Sequence, residues 1–236
     1  LMMLTGKIDP KAKSTFPIWT PEIASVAPLL WLEPRKETGY SDYDPVTTAL
    51  DWSENDYHLT EQGTGDSTLY RNVDGKAFYW YPSEGTYLAN ASFDALAENA
   101  PFTMFFVGTV DPDRPLAGFG NKDCDENFHL MSNRIAIWCN DIFFTPSFEV
   151  WDKVVVAATY NAGEIIVYNL TGSGEPSVLG SENQPFFTVQ DGVFLGVFSD
   201  GSETYHLGEL YGLFVFPDVL PLGEIASAGV YLRALL

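Results

Sequence analysis

From Leu29 onward, short apolar runs alternate with clusters of turn-forming residues, which is the pattern of an antiparallel β-sandwich or barrel. Residues 29–32, 77–81, 102–107, 193–198 and 207–216 read as strands. Residues 127–131 and 134–139 form a predicted hairpin around Ser132-Asn133. Residues 154–160 and 164–168 form a second around Asn161-Ala162-Gly163. Only two stretches carry helical spacing. One is short, at residues 93–98. The other is C-terminal, at 221–235, where Leu222, Ile225, Ala226, Gly229 and Leu232 share a face and Pro221 occupies a first turn that tolerates proline. Residues 1–27 stand apart, because Pro10, Pro17 and Pro21, with Pro28 just beyond, prevent a long helix. The expected organisation is an extended N-terminal arm (1–27) followed by one all-β domain (28–236), with no internal repeat and no linker.

Charge narrows the function. The 236 residues carry 32 acids against 12 bases, a formal charge of −20. Phosphate backbones and anionic membrane surfaces need clustered lysine and arginine, so neither is an expected partner. Apolar residues make up 46%, which separates the chain from a disordered acidic tail. No apolar run approaches the roughly 20 residues that span a bilayer, so no membrane insertion is expected. The 35 aromatic rings suit a pleated, half-buried β surface. Lys7, Lys11 and Lys13 follow the first residues without the apolar core of a secretory signal, and none is expected. In the register of the first hairpin, Cys124 falls diagonal to Cys139. Diagonal partners sit roughly 7–8 Å apart, too far for an unstrained disulfide, so two free thiols are expected.

The order of short motifs carries a resemblance. Pro28-Leu29-Leu30-Trp31-Leu32-Glu33 is followed by Leu50-Asp51-Trp52-Ser53, Gly75-Lys76-Ala77-Phe78 and Gly85-Thr86-Tyr87-Leu88. The central strand begins at Pro101-Phe102, and Leu207-Gly208-Glu209-Leu210 leads through Phe216 into Leu222-Gly223-Glu224-Ile225. From Pro28 to Leu236 this order resembles the concanavalin A-like lectin/glucanase superfamily, in its laminin G-like branch, as found in bacteriophage virion proteins. The resemblance implies a two-sheet jelly roll closed by a short C-terminal helix. It also implies several unrelated functions, among them glycan-binding modules, glycosidases and virion components, so the site has to decide.

The residues offer three kinds of site. Catalysis is the weakest: no strand alternates carboxylates as glycosidases of this superfamily do, and Glu203, Glu209 and Glu164 form no such pair. His58, His129 and His206 accompany no nucleophile motif, so no catalytic residue and no enzyme activity are expected. A metal is the second possibility. Asp123, Asp125 and Asn127 match the first half of a calcium loop, but Phe128 stands where glycine is required and Arg134 where the bidentate glutamate belongs. Asp111 and Asp113 would have to join Asp123 and Asp125 for calcium to bind, against the alternative of a solvated acidic loop. The third is a sugar platform. In the predicted hairpin Phe128 and Leu130 face inward, leaving Asn127, His129, Arg134 and Trp138 on the other face. A ring, an imidazole and a guanidinium there suit a glycan, against the alternative of residues packed beneath a loop. Asn90-Ala91-Ser92 and Asn169-Leu170-Thr171 match the glycosylation pattern and are read as turn residues.

The leading expectation is a non-enzymatic structural protein of a virus particle, a phage head-decoration (cement) or tail component on the virion surface. Its arm would bury Phe16, Ile18 and Trp19 on a neighbouring subunit, as expected of a homo-oligomer, while the acidic sandwich faces water. The alternative is a carbohydrate-binding module, calcium-dependent or not, and the two are compatible through adhesion to host glycans. A glycoside hydrolase is the third reading.

Overall fold

Strand β7 (Phe102–Thr109) is buried at every position, on both faces, and this places it in a middle layer. The computed structural model describes residues 19–83, 85–93, 96, 100–111, 114–120, 127–136, 141–145, 147–183, 192–196 and 207–236. These form two antiparallel sheets of eight strands each and one C-terminal helix. The protein is therefore an all-β, two-sheet antiparallel β-sandwich, as the hydrophobic pattern predicts.

The first sheet runs β14 (Ser177–Asn183), β13 (Glu164–Asn169), β12 (Lys153–Asn161), β7, β16 (Gly208–Phe216), β5 (Lys76–Tyr81) and β4 (Leu69–Val73). Strand β1 (Leu30–Leu32) pairs with the C-terminal half of β16, Leu30 opposite Val215. The second sheet runs β11 (Ile142–Phe143), β10 (Arg134–Ala136), β9 (Asn127–Leu130), β8 (Ala117–Gly120), β15 (Val193–Leu195), β6 (Thr86–Asn90), β3 (Leu59–Gly63) and β2 (Thr48–Ala49). Phe102, Met104 and Phe106 of β7 meet Phe128 and Leu130 of β9 between the sheets. The other face of the first sheet carries Phe105, Phe214 and Phe216, and these pack under helix α1 (Leu222–Arg233) through Ile225, Ala228 and Leu232. A bulge at Tyr211-Gly212 lets Leu210 and Leu213 both point into the sandwich although they are three apart.

The turn chemistry is local and legible. Ala162 and Gly163 both have positive φ and join β12 to β13 as a two-residue turn, with Asn161 opposite Glu164. The hairpin at Ser132-Asn133 has the predicted register, Leu130 opposite Ile135 and His129 opposite Ala136. Of the predicted helix at 93–98, only Phe93 and Leu96 belong to the described residues, so that expectation lies outside them. The same is true of the two thiols, Cys124 and Cys139.

Trp19, expected in the docking arm, is within the described residues. Its indole packs against its own chain. It packs on Phe105, Phe216 and Tyr231 at centroid distances of 6.0, 6.1 and 5.8 Å, and Nε1 donates to Glu224 of α1 at 3.1 Å. The backbone N–H and hydroxyl of Ser25 donate to the same carboxylate at 2.8 and 2.6 Å. Phe16 and Ile18 lie outside the described residues.

Glu224 makes this clasp pH-sensitive. Burial works to raise its pKa, but the hydrogen bonds from Ser25 and Trp19 outweigh it and hold the carboxyl below its ordinary value. A depressed carboxylate stabilises the fold above its unfolded pKa, and that contribution is lost as pH falls below about 4.3 toward the lower folded value. Glu22, paired with Lys36 at 3.1 Å, is lowered in the same direction. Limited proteolysis should therefore cut near residues 19–27 in Glu224→Ala at neutral pH, and in the wild type only after acidification. Equal protection of both proteins would remove the clasp.

Candidate functional site

Helix α1 covers the outer face of the first sheet, whereas no described element crosses the outer face of the second. On that face one row of positions runs through the register: Thr60 opposite Ala89, Ala89 opposite Phe194, Phe194 opposite Gly118, and Gly118 opposite His129. A parallel row pairs Gln62 with Tyr87. Their inward neighbours Leu59, Leu88, Leu195 and Phe119 belong to the core, which fixes these two rows outward by alternation.

At the β3–β6–β15 end of this face lies a groove of about 410 Å³, lined by His58, Thr60, Gln62, Tyr87, Asn90 and Phe194 among others. That volume falls within the roughly 300–1,000 Å³ usual for small-molecule sites. Tyr87 and Phe194 form its aromatic part, with ring centroids 6.5 Å apart. Gln62 Nε2 donates to Thr60 Oγ1 at 3.0 Å, which leaves the amide oxygen of Gln62 and the hydroxyl proton of Thr60 for a ligand.

The end wall is tied down. Asn90 donates to the His58 carbonyl at 2.9 Å and accepts from the Ser92 N–H at 2.8 Å. Both ends of the Asn90 amide are thus committed, so glycosylation at Asn90-Ala91-Ser92 would cost that wall its bonds. His58 Nδ1 accepts from the backbone N–H of Asp51 at 3.0 Å, which assigns the proton to Nε2 and makes that atom a donor. Asp51 in turn is buried and holds the 51–58 loop, accepting from the N–H groups of Trp31 and Ser53 on Oδ1 and of Tyr57 on Oδ2, each at 2.9 Å. The Leu50-Asp51-Trp52-Ser53 motif is a scaffold for the groove.

The predicted sugar platform lies elsewhere on this sheet, and of its four residues only His129 and Arg134 have described side chains. His129 is four strands from Thr60, about 19 Å at roughly 4.8 Å per strand. It is also 1% exposed, a correction to the exposed position expected of it. The physical reason is Gly118: an ideal Cβ there would lie 2.0 Å from His129 Cδ2, so the imidazole fills the space that a side chain opposite would take. Arg134 is committed to Asp141 at 3.0 Å and lies over the Phe143 ring at 5.9 Å. Asn127 opens β9 opposite Gly120, and Trp138 lies outside the described residues. Of the calcium candidates, Asp111 is half-buried and its carbonyl accepts from Ser132 N–H at 3.0 Å. Asp113, Asp123 and Asp125 lie outside the described residues. Among the described residues no three of His, Cys, Asp and Glu are grouped to hold a metal.

Thr60, Gln62 and Tyr87 escape a reading of the hydrophobic pattern because their strands are short and end in polar residues or glycine, whereas Phe194 lies in a segment read as a strand but given no role. The available signal was the alternation Thr86-Tyr87-Leu88-Ala89, inside a motif already notable for its resemblance.

No known family model matches the sequence, and no curated protein matches it either. Solved structures do match the fold. A GH54 α-L-arabinofuranosidase soaked with a cyclic sulfate inhibitor superposes with a TM-score of 0.64 at 14% identity, over 89% of this chain and 60% of that one. Domain 4 of a GH43 extracellular arabinanase from Geobacillus stearothermophilus, in complex with arabinotriose, gives 0.57 at 14% identity, over 76% of this chain and 91% of that domain. The receptor-binding domain of botulinum neurotoxin type G gives 0.56 at 14% identity, over 86% and 51%. The chain thus spans about 60% of the arabinofuranosidase it superposes on. At such identities the likeness establishes the fold alone, a two-sheet β-sandwich.

Proposed function

We propose that this chain is a carbohydrate-binding β-sandwich that holds a saccharide in the groove over Tyr87 and Phe194. One observation carries the proposal: on the face that α1 does not cover, the half-buried ring of Tyr87, backed by the buried ring of Phe194, adjoins a line of neutral hydrogen-bonding groups, Thr60, Gln62 and the Nε2 of His58. Sugars present both an apolar C–H face and a rim of hydroxyls, and a ring beside amide and hydroxyl groups meets both demands at once. The arabinotriose complex of the superposable arabinanase domain supports the same class of ligand.

Binding without hydrolysis is part of the proposal. Among the described residues lining the groove there is no Asp or Glu, whereas glycosidases place two carboxyls about 5–9 Å apart across the bond they cut. The finer placement in the laminin G-like branch is likewise proposed. It is supported by the motif order from Pro28 to Glu33 and by the Gly208-Glu209-Leu210 strand that leads into α1.

The test is titration of neutral oligosaccharides, arabinotriose and xylotriose among them, into wild type and Tyr87→Ala by calorimetry. Wild type should bind at least one, and Tyr87→Ala should bind it at least about tenfold more weakly, a difference of about 1.4 kcal/mol. Tyr87 is half-buried on the outer face, so circular dichroism should report an unchanged fold. Equal affinity in the variant would move the site off this groove.

A further inference from the structure

Resting on the carbohydrate reading above, we infer that the groove selects uncharged saccharides and rejects sialylated, uronic or sulfated ones. The observation is the placement of the twelve bases. Residues 37–70, 77–113 and 154–232 contain no lysine or arginine, and these stretches supply every residue named in the groove: His58, Thr60, Gln62, Tyr87, Asn90 and Phe194. A bound carboxylate or sulfate is recognised through a guanidinium or ammonium, and no described wall of the groove offers one.

Nor can a base be lent from nearby without breaking something. Arg35 pairs with Glu33 at 2.7 Å, Lys36 with Glu22 at 3.1 Å and Arg71 with Asp42 at 2.9 Å. Arg134 pairs with Asp141 at 3.0 Å and Lys153 with Glu209 at 2.8 Å. Lys76 and Arg233 donate to the carbonyls of Ala234 and Leu170, and Arg114 also holds a partner. Every described base is thus engaged, while acids outnumber bases by 32 to 12. The field around the sandwich is negative, so an anionic sugar meets repulsion on approach and, among the described residues, no counter-charge on arrival. The donors that do line the groove, a hydroxyl, an amide and an imidazole N–H, are the partners of neutral hydroxyls.

Matched pairs test this in one experiment. Lactose is compared with 3′-sialyllactose, and a neutral xylotriose with its glucuronate-bearing counterpart, all by calorimetry on the whole chain. The neutral member of each pair should bind at least about tenfold more tightly, and the gap should narrow as salt rises from roughly 20 mM to roughly 500 mM. Ser92→Lys, at the rim of the groove, should shift the ratio toward the charged member by about tenfold. An anionic member that binds as well as or better than its neutral partner at low salt overturns the selectivity and leaves the carbohydrate reading standing. Failure of all members, and of the arabinotriose and xylotriose named above, overturns the carbohydrate reading and the selectivity with it.

Discussion

Glu33→Ala is expected to destabilise the protein by about 2–4 kcal/mol, the cost of leaving buried donors without their acceptor while the half-exposed Arg35 turns to water. Glu33 is 0% exposed, and its carboxylate collects donors from three parts of the chain. Oε2 accepts from Trp31 Nε1 at 2.9 Å and from Tyr231 OH at 2.7 Å, while Oε1 accepts from Arg35 at 2.7 Å. Arg35 also donates to Tyr231 OH at 2.9 Å, closing a ring that joins β1 to α1. Alanine would strand the Trp31 N–H in the interior and leave the hydroxyl with one partner fewer, each unmet group costing about 1–3 kcal/mol. Urea unfolding should show this as a lower midpoint at constant slope, and melting should fall by roughly 10 °C. Glu33→Gln keeps the shape and one acceptor and should recover about half of the loss. A change below about 1 kcal/mol in the alanine variant would mean that water takes the place of the carboxylate.

Gly118→Ala is the second large effect, at about 3 kcal/mol from overpacking. The added methyl would meet His129 Cδ2 at 2.0 Å and Nε2 at 2.6 Å. The backbone has no room to retreat, because Gly118 is held in register by Phe194 on one side and His129 on the other. The ring would have to rotate out of a buried position. Pairing the change with His129→Ala removes the collision, so the double variant should be more stable than the sum of the single losses by at least about 1 kcal/mol. Strict additivity would show that the imidazole does not fill the glycine's space. Because Phe194 stands beside Gly118 and also lines the groove, Gly118→Ala alone should weaken saccharide binding as well.

Gly118 also marks where sequence reading stops. The strands read correctly are those with continuous apolar runs, such as β7, β12 and β16, because burial on both faces leaves no polar gaps to confuse the pattern. Strand β8, Ala117-Gly118-Phe119-Gly120, is absent from the strands read from the sequence, because its two glycines break the apolar run. Here the first of them is an interior strand residue whose missing side chain makes room for a neighbour's ring. The hairpin at Ser132-Asn133 gives the right partners for Leu130 and His129, yet alternation says only that His129 points away from the core. Whether that side is wet depends on the opposite strand, which the hairpin does not contain. Asp74-Gly75 is a signal that was there to be used. Both residues have positive φ and close a two-residue turn between Val73 and Lys76, so this pair alone would have placed β4 beside β5.

Trp19 shows a different limit. A proline-rich leader with large apolar side chains predicts burial, but intramolecular and intermolecular burial have the same sequence signature. The contacts that Trp19 makes with Glu224, 205 positions away, and with Phe105, Phe216 and Tyr231 are invisible in the leader's own sequence.

That separation bears on how the molecule reaches its native state. Leu30 pairs with Val215, Trp31 with Phe214, and Trp19 waits for Glu224, so the two extremities of the described chain close on each other. Contacts of such span make folding slow, since loop closure comes before any reward. During synthesis the β1 edge and the aromatic face of β7 have no partner until β16 and α1 have left the ribosome. A nascent chain arrested before residue 208 holds Phe105 and Val107 without the cover that α1 provides, and it is the species most exposed to aggregation.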